Sequence, residues 1–193
     1  MATVAQAIKN WEALNPDTPS EDADYMKLYS QQPPIAKLDG SLNSLKNCER
    51  LALSTNCIDR MIPLNGMSKL KILSLGRNQI KKIEYLETVA TTLEELWISY
   101  NSIATLDGIN CCTNLTTLYV SNNLIKQWTE LDKLAGLTSL RDVLFFGNPI
   151  YDECGSKEAA RIEVLKRLPQ VQKIDGDMVK PTERELAGVP QME

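Results

Sequence analysis

Apolar side chains recur along the middle of the chain at fixed offsets from five asparagines. Asn56, Asn78, Asn101, Asn123 and Asn148 stand 22, 23, 22 and 25 residues apart. Eight, five and three residues before each come apolar positions: Cys48/Leu51/Leu53, Leu70/Leu73/Leu75, Leu93/Leu96/Ile98, Leu115/Leu118/Val120 and Leu140/Val143/Phe145. Two residues after each asparagine stands Ile58, Ile80, Ile103, Ile125 or Ile150. A unit this short cannot bury its own apolar side, so a repeat of this period predicts stacked coils that share one core.

Within each unit the segment before the asparagine alternates. Its two leucine-type side chains therefore share one face of a strand, and the residues between them share the other. Stacking places these strands side by side in a parallel sheet. The return limb carries apolar residues at spacings of three, as in Ile80, Ile83 and Leu86, which short helical turns would aim inward. The turn back from each strand leaves backbone groups inside, and an asparagine amide supplies both a donor and an acceptor for them. The expected fold is α/β: a leucine-rich-repeat solenoid with a parallel sheet on one face, helical turns on the other and helical caps at both ends.

The ends of a solenoid need covers. Residues 1–34 are expected to be an N-terminal helical cap, with Val4, Ile8 and Trp11 on one helix and Tyr25, Leu28 and Tyr29 on a second after Ser20; a partner-binding tail is the alternative. Residues 35–150 hold the repeats, and a partial unit from Pro33 to Leu38, with Leu42 and Leu45 leading into Cys48, precedes the five full ones. Residues 151–193 form the C-terminal cap and tail. There Glu158 to Leu168 reads as a helix with Ile162, Leu165 and Leu168 inward, ended by Pro169. Val171 and Ile174 return to the core, Asp175-Gly176 makes a turn, and Thr182 is expected to cap a last helical turn.

With the leucines inward, the variable strand positions face out. Trp97, Tyr119 and Leu144 occupy the same position on successive strands, so they fall within about 10 Å of one another. Tyr100, Phe146 and Ile72 flank them, and Arg77 stands immediately before its asparagine. Aromatic rings bury about 150–250 Å² each, so the cluster reaches the size at which an exposed patch marks a binding site. The alternative is that these rings stack only on each other or under the N-terminal cap.

Composition removes most other chemistries. The 193 residues contain no histidine, which excludes Ser-His-Asp and Cys-His nucleophile systems and imidazole zinc sites. Five cysteines, an odd number with no CxxC pair, point to reduced thiols, and no cofactor is expected. A net charge of −4 argues against direct nucleic-acid binding. No apolar run approaches the length of a membrane helix. The first thirteen residues carry Lys9, Asn10 and Glu12 inside their apolar pattern, unlike a secretory signal, so the cytoplasm is the expected compartment.

The 22-residue units and the closing Pro169-x-Val171-x-x-Ile174-Asp175-Gly176 resemble the SDS22-like class of leucine-rich repeats. Within it, Pro33-Pro34-Ile35, the run from Leu51 to Ile58, the run from Ile72 to Asn78, the run from Thr92 to Asn101 and the run from Leu118 to Asn123 resemble the axonemal outer-arm dynein leucine-rich light chains. The resemblance covers nearly the whole chain and is weakest before Pro33. It implies a monomeric, non-catalytic subunit of the ciliary or flagellar axoneme that binds a dynein heavy chain at its microtubule-binding end and tunes beating, with tubulin as a further contact. In that family the apolar sheet face is the proposed contact, and a C-terminal tail with basic residues projects toward the partner. Arg184 occupies a matching place in the tail, while Gln191 stands where a second arginine is expected. Two other readings stay open: a phosphatase-regulatory subunit of the SDS22 type, and a splicing-type repeat scaffold that supports RNA binding through a partner.

Overall fold

The computed structural model describes residues 2–191. Eight short strands form one sheet in sequence order: β1 (Tyr25–Lys27), β2 (Arg50–Ala52), β3 (Ile72–Ser74), β4 (Glu95–Trp97), β5 (Thr117–Tyr119), β6 (Asp142–Leu144), β7 (Lys173–Ile174) and β8 (Asp177–Met178). Neighbours from β1 to β7 pair in parallel and only β8 runs back. Met26, Leu51, Leu73, Leu96, Leu118, Val143 and Ile174 stand opposite one another in register and are all buried. They are the spine of a single apolar core that runs the length of the molecule.

Each asparagine of the repeat stitches two coils together. Asn101 Nδ2 donates to Ile98 O of its own coil at 3.0 Å and to Leu75 O of the coil before at 3.0 Å, while its Oδ1 accepts from Ile80 N at 2.9 Å. Asn56, Asn78, Asn123 and Asn148 repeat this pattern of one acceptor and two carbonyls. The residue before each asparagine turns left-handed: Thr55, Arg77, Tyr100, Asn122 and Gly147 have φ of 57°, 54°, 58°, 52° and 79°. That conformation costs a non-glycine residue about 1–2 kcal/mol, which the asparagine bonds on both sides of the turn offset.

The N-terminal region departs from the expectation of two helices. The first helix forms, α1 (Val4–Leu14), with Thr3 accepting from Gln6 N at 3.1 Å and Val4, Ala7 and Ile8 buried. The second does not: Tyr25 to Lys27 is β1. The physical reason is an additional repeat. Ala23, Met26 and Leu28 lie eight, five and three residues before Gln31, all three are buried, and Ser30 takes the left-handed φ of 50°. Pairing with β2 satisfies backbone groups that a helix here would have left exposed on the sheet edge.

After β5 the return limb contains one turn of helix, α2 (Thr129–Asp132). The C-terminal end is covered by α3 (Lys157–Arg167) and α4 (Pro181–Ala187). Ser156 caps α3 by accepting from Ala159 N at 3.1 Å. Its inward stripe is Ala160, Val164 and Leu165, with Leu168 just beyond, whereas Ile162 is only half-buried. The last helix begins two residues earlier than expected. Pro181 takes its first position, where no N–H is needed, and Glu183 Oε2 accepts from Lys180 N at 2.8 Å, so Thr182 is not the cap. Arg161, a buried cation on α3, ties the two helices: its guanidinium donates to both carboxylate oxygens of Glu183, at 2.6 and 3.0 Å, and to the carbonyl of Ile174.

Candidate protein-binding face

The pleat aims alternate residues of β1 to β6 away from the core. Lys27, Ala52, Ser74, Trp97, Tyr119 and Leu144 stand opposite one another in one outward row, and Tyr25, Arg50, Ile72, Glu95, Thr117 and Asp142 in the next. Trp97 and Tyr119 stack with ring centroids 5.9 Å apart and planes at 23°. Both rings are tethered at their polar ends. The indole Nε1 donates to Glu95 Oε2 at 3.0 Å, and the Tyr119 hydroxyl donates to Asp142 Oδ2 at 2.9 Å. Asp142 Oδ2 also accepts from Lys173 Nζ at 2.9 Å. Partial burial, with the Asp142 bond second, pushes the Tyr119 phenol up to about 12, so it remains a neutral donor across the physiological range.

Trp97 is 37% exposed, Tyr100 48% and Phe146 54%, while Ile72, Tyr119 and Leu144 are half-buried in the same surface. Arg77 lies with its guanidinium carbon 4.5 Å from the Tyr100 ring centroid, a cation–π contact between the turns after β3 and β4. Phe146 stands farther along and packs edge-on against Tyr151 at 5.9 Å. The row residues Trp97, Tyr119 and Leu144 are thus brought together, Tyr100 and Arg77 flank them as a pair, and Phe146 marks the C-terminal limit. The remaining exposed large apolar side chains on the return side and tail, such as Leu124 and Leu186, lie apart from this row.

Arg184 does not join this face, and the expectation that it projects from the tail is corrected. It is 4% exposed, and its guanidinium donates to Pro169 O at 2.8 Å and Val171 O at 2.7 Å. These carbonyls follow α3 and have no helical partner of their own, so the arginine caps the chain internally rather than reaching a partner. Two residues that sequence reasoning left off the face belong to it: Tyr25 and Tyr29 are exposed beside Arg50 and Ile72. The signal that could have found them is the Ala23/Met26/Leu28 spacing before Gln31.

Burial pushes the Cys48 thiol up to about 11 and the Cys112 thiol up to about 12, far from a thiolate at neutral pH. Among the described residues no three acidic or thiol side chains gather so as to hold a metal ion, and no helix is long and apolar enough to cross a membrane. What the geometry offers is a firm aromatic surface with oriented polar rims, suited to binding a polypeptide.

Known proteins agree with this architecture. A family model described as leucine rich repeats in two copies matches residues 91–133. Among solved structures, the leucine-rich repeat domain of APL1B superposes with a TM-score of 0.59 at 21% identity, over 72% of this chain and 42% of that one. Internalin C2 from Listeria monocytogenes gives 0.57 at 17% identity, over 92% and 87%. At such identities these two report the fold alone. Sequence relatives are far nearer. Dynein axonemal light chain 1 of Chlamydomonas reinhardtii is 51% identical over 190 residues, 97% of this chain and 96% of the relative. The protein of the same name from Danio rerio is 50% identical over 186 residues, 96% of each chain. That from Homo sapiens is 49% identical over 177 residues, 92% of this chain and 93% of the relative. Identity near one half across almost the whole length, on a sheet whose repeats register without a break, means that this chain belongs to the dynein axonemal light chain 1 family of leucine-rich-repeat proteins.

Proposed function

We propose that the chain is a non-catalytic light chain of axonemal dynein, residing in the axoneme of a cilium or flagellum, that grips a dynein heavy chain near its microtubule-binding domain. The gripping surface is the outward face of the sheet, and the bound light chain tunes the beat. The observation that carries this reading is the Trp97–Tyr119 stack, solvent-facing and fixed at both polar ends, in a chain whose full-length relatives bear the name of a dynein light chain. Large rigid aromatics that are already positioned lose little freedom on binding, and such residues dominate interface energies. A contact near the microtubule-binding domain would also bring tubulin within reach. No feature of the face favours a phosphatase catalytic subunit or a splicing partner over a heavy chain.

Trp97→Ala combined with Tyr119→Ala tests the reading. Titrated against heavy chain purified from axonemes, the double variant is expected to bind about 2–4 kcal/mol more weakly, roughly 30- to 800-fold, while a cooperative urea transition shows that it remains folded. Equal affinity for the variant and the natural chain would show the face to be idle.

A further inference from the structure

Two thiols meet away from the sheet face, on the return limb between β4 and β5. Cys111 and Cys112 are neighbours in sequence, and their Sγ atoms lie 3.9 Å apart. Cys48, Cys57 and Cys154 have no second thiol beside them among the described residues. The paired cysteines are unlike in exposure. Cys112 is fully buried, at the place where other coils carry Leu45, Met67 and Leu137, each three residues before the first apolar position of its repeat. Cys111 is half-buried, and its Sγ lies 3.4 Å from the carbonyl oxygen of Gly108. One sulfur is therefore open to a small solute, and the other stands directly behind it. Packing accounts for an apolar side chain at 112, but not for a thiol at 111 in contact with it.

We propose that Cys111 and Cys112 form an oxidation site, which hydrogen peroxide converts into a disulfide between the two neighbours. The Cys111 sulfur attacks one peroxide oxygen, the O–O bond breaks, and a sulfenic acid and a water result. The Cys112 sulfur then attacks the sulfenic sulfur, and the hydroxyl leaves with the thiol proton as a second water. Two thiols give up two electrons, and one peroxide is reduced to two waters. Burial pushes the Cys112 thiol up to about 12, so it is the poorer first nucleophile. Its place beside Cys111 makes the second step intramolecular.

The covalent geometry makes the product reversible. Adjacent Cα atoms stand about 3.8 Å apart, below the usual span of a disulfide, about 4.4–6.8 Å, and bonds closed outside that span are readily reduced. Closure also acts on the coil. Cys112 N donates to Ile109 O at 2.9 Å, and Leu115 N donates to Cys112 O at 3.0 Å. These bonds and the buried Cys112 side chain anchor the limb that leads into β5. Drawing the Cys112 sulfur out of the core toward Cys111 loosens the coil that carries Tyr119. The site does not depend on what the sheet face binds.

Tryptic digestion reads the site directly, because the peptide from Ile83 to Lys126 contains these two cysteines and no others. The full chain is reduced, freed of reductant, treated with hydrogen peroxide, then unfolded and alkylated with iodoacetamide before digestion. The peptide is expected to be lighter by two hydrogens with neither thiol alkylated, and dithiothreitol should restore both thiols. The urea midpoint of the oxidised chain should fall and recover on reduction. Cys57→Ser with Cys154→Ser, which removes the other half-buried thiols, should oxidise at this peptide as the natural chain does. Cys111→Ser should keep its midpoint under peroxide. A peptide that gains oxygen instead of losing hydrogens, or that still takes up two alkyl groups, overturns the site, and this reading needs no variant. A fully converted chain with an unmoved midpoint overturns the loosening, as does a Cys111→Ser chain that peroxide weakens equally.

Discussion

Leu96 and Trp97 are neighbours in β4, yet the first is fully buried and the second 37% exposed. The inward row, from Met26 to Ile174, is uniformly aliphatic and packs against the coils on either side. The outward row runs from a lysine through alanine and serine to tryptophan, tyrosine and leucine. Both rows share the same backbone and the same hydrogen bonds. Inward positions answer to the stacking of coils, so their chemistry repeats. Outward positions are free of that stacking, so their chemistry varies from strand to strand. A side chain's part in the fold can therefore be read from its parity in the strand, and the binding role proposed above falls to the opposite parity.

That division can be broken by stability measurements, and it is sharpest at the C-terminal clasp. Arg161→Met leaves the largely buried Glu183 carboxylate without its cation, and a loss of about 3–5 kcal/mol in urea unfolding is expected. Glu183 is held below the ordinary carboxylate range mainly by its hydrogen bond from Arg161. Its contribution is therefore complete above the usual carboxylate pKa and is lost as the pH falls through the lowered one. The gap between natural chain and variant should shrink in acid, and a gap that widens there would contradict the assignment.

Leu96→Ala, on the inward row, should cost about 3 kcal/mol, while binding per folded molecule stays unchanged. Asn101→Ala should cost about 1–3 kcal/mol, since it leaves Ile80 N, Leu75 O and Ile98 O without a shared partner. On the outward row Tyr119→Phe loses only the bond to Asp142 and should cost about 1 kcal/mol or less. A larger loss there than at Asn101 would mean that the outward row carries the fold, and the parity rule would fail.

Legibility followed the same division. The asparagine ladder and the leucine rows could be read directly, because each position recurs five times and packs against a copy of itself. The repeat around β1 was hidden because Ala23, Met26 and Gln31 stand where Leu and Asn are usual, while Tyr25, Leu28 and Tyr29 happen to fall at helical spacing. The packing that resolves this ambiguity lies 25 residues away, in the pairing of Tyr25 with Arg50. Arg184 was misassigned for a related reason. Its place in the tail was recognisable, but its direction depends on how α4 docks against the segment after α3.

The repeat period by itself determined the solenoid, the register of its strands and which residues of β3 to β6 face outward, because stacking leaves a strand of alternating polarity only one way to lie. Only the tertiary structure decided the pairings between unlike segments: Arg161 with Glu183, Arg184 with the carbonyls of Pro169 and Val171, and Tyr25 of β1 with Tyr29 just after it beside Arg50. Those contacts join residues that share no periodic relation. They depend on how caps settle onto the end coils, a matter of shape and burial that local pattern does not encode.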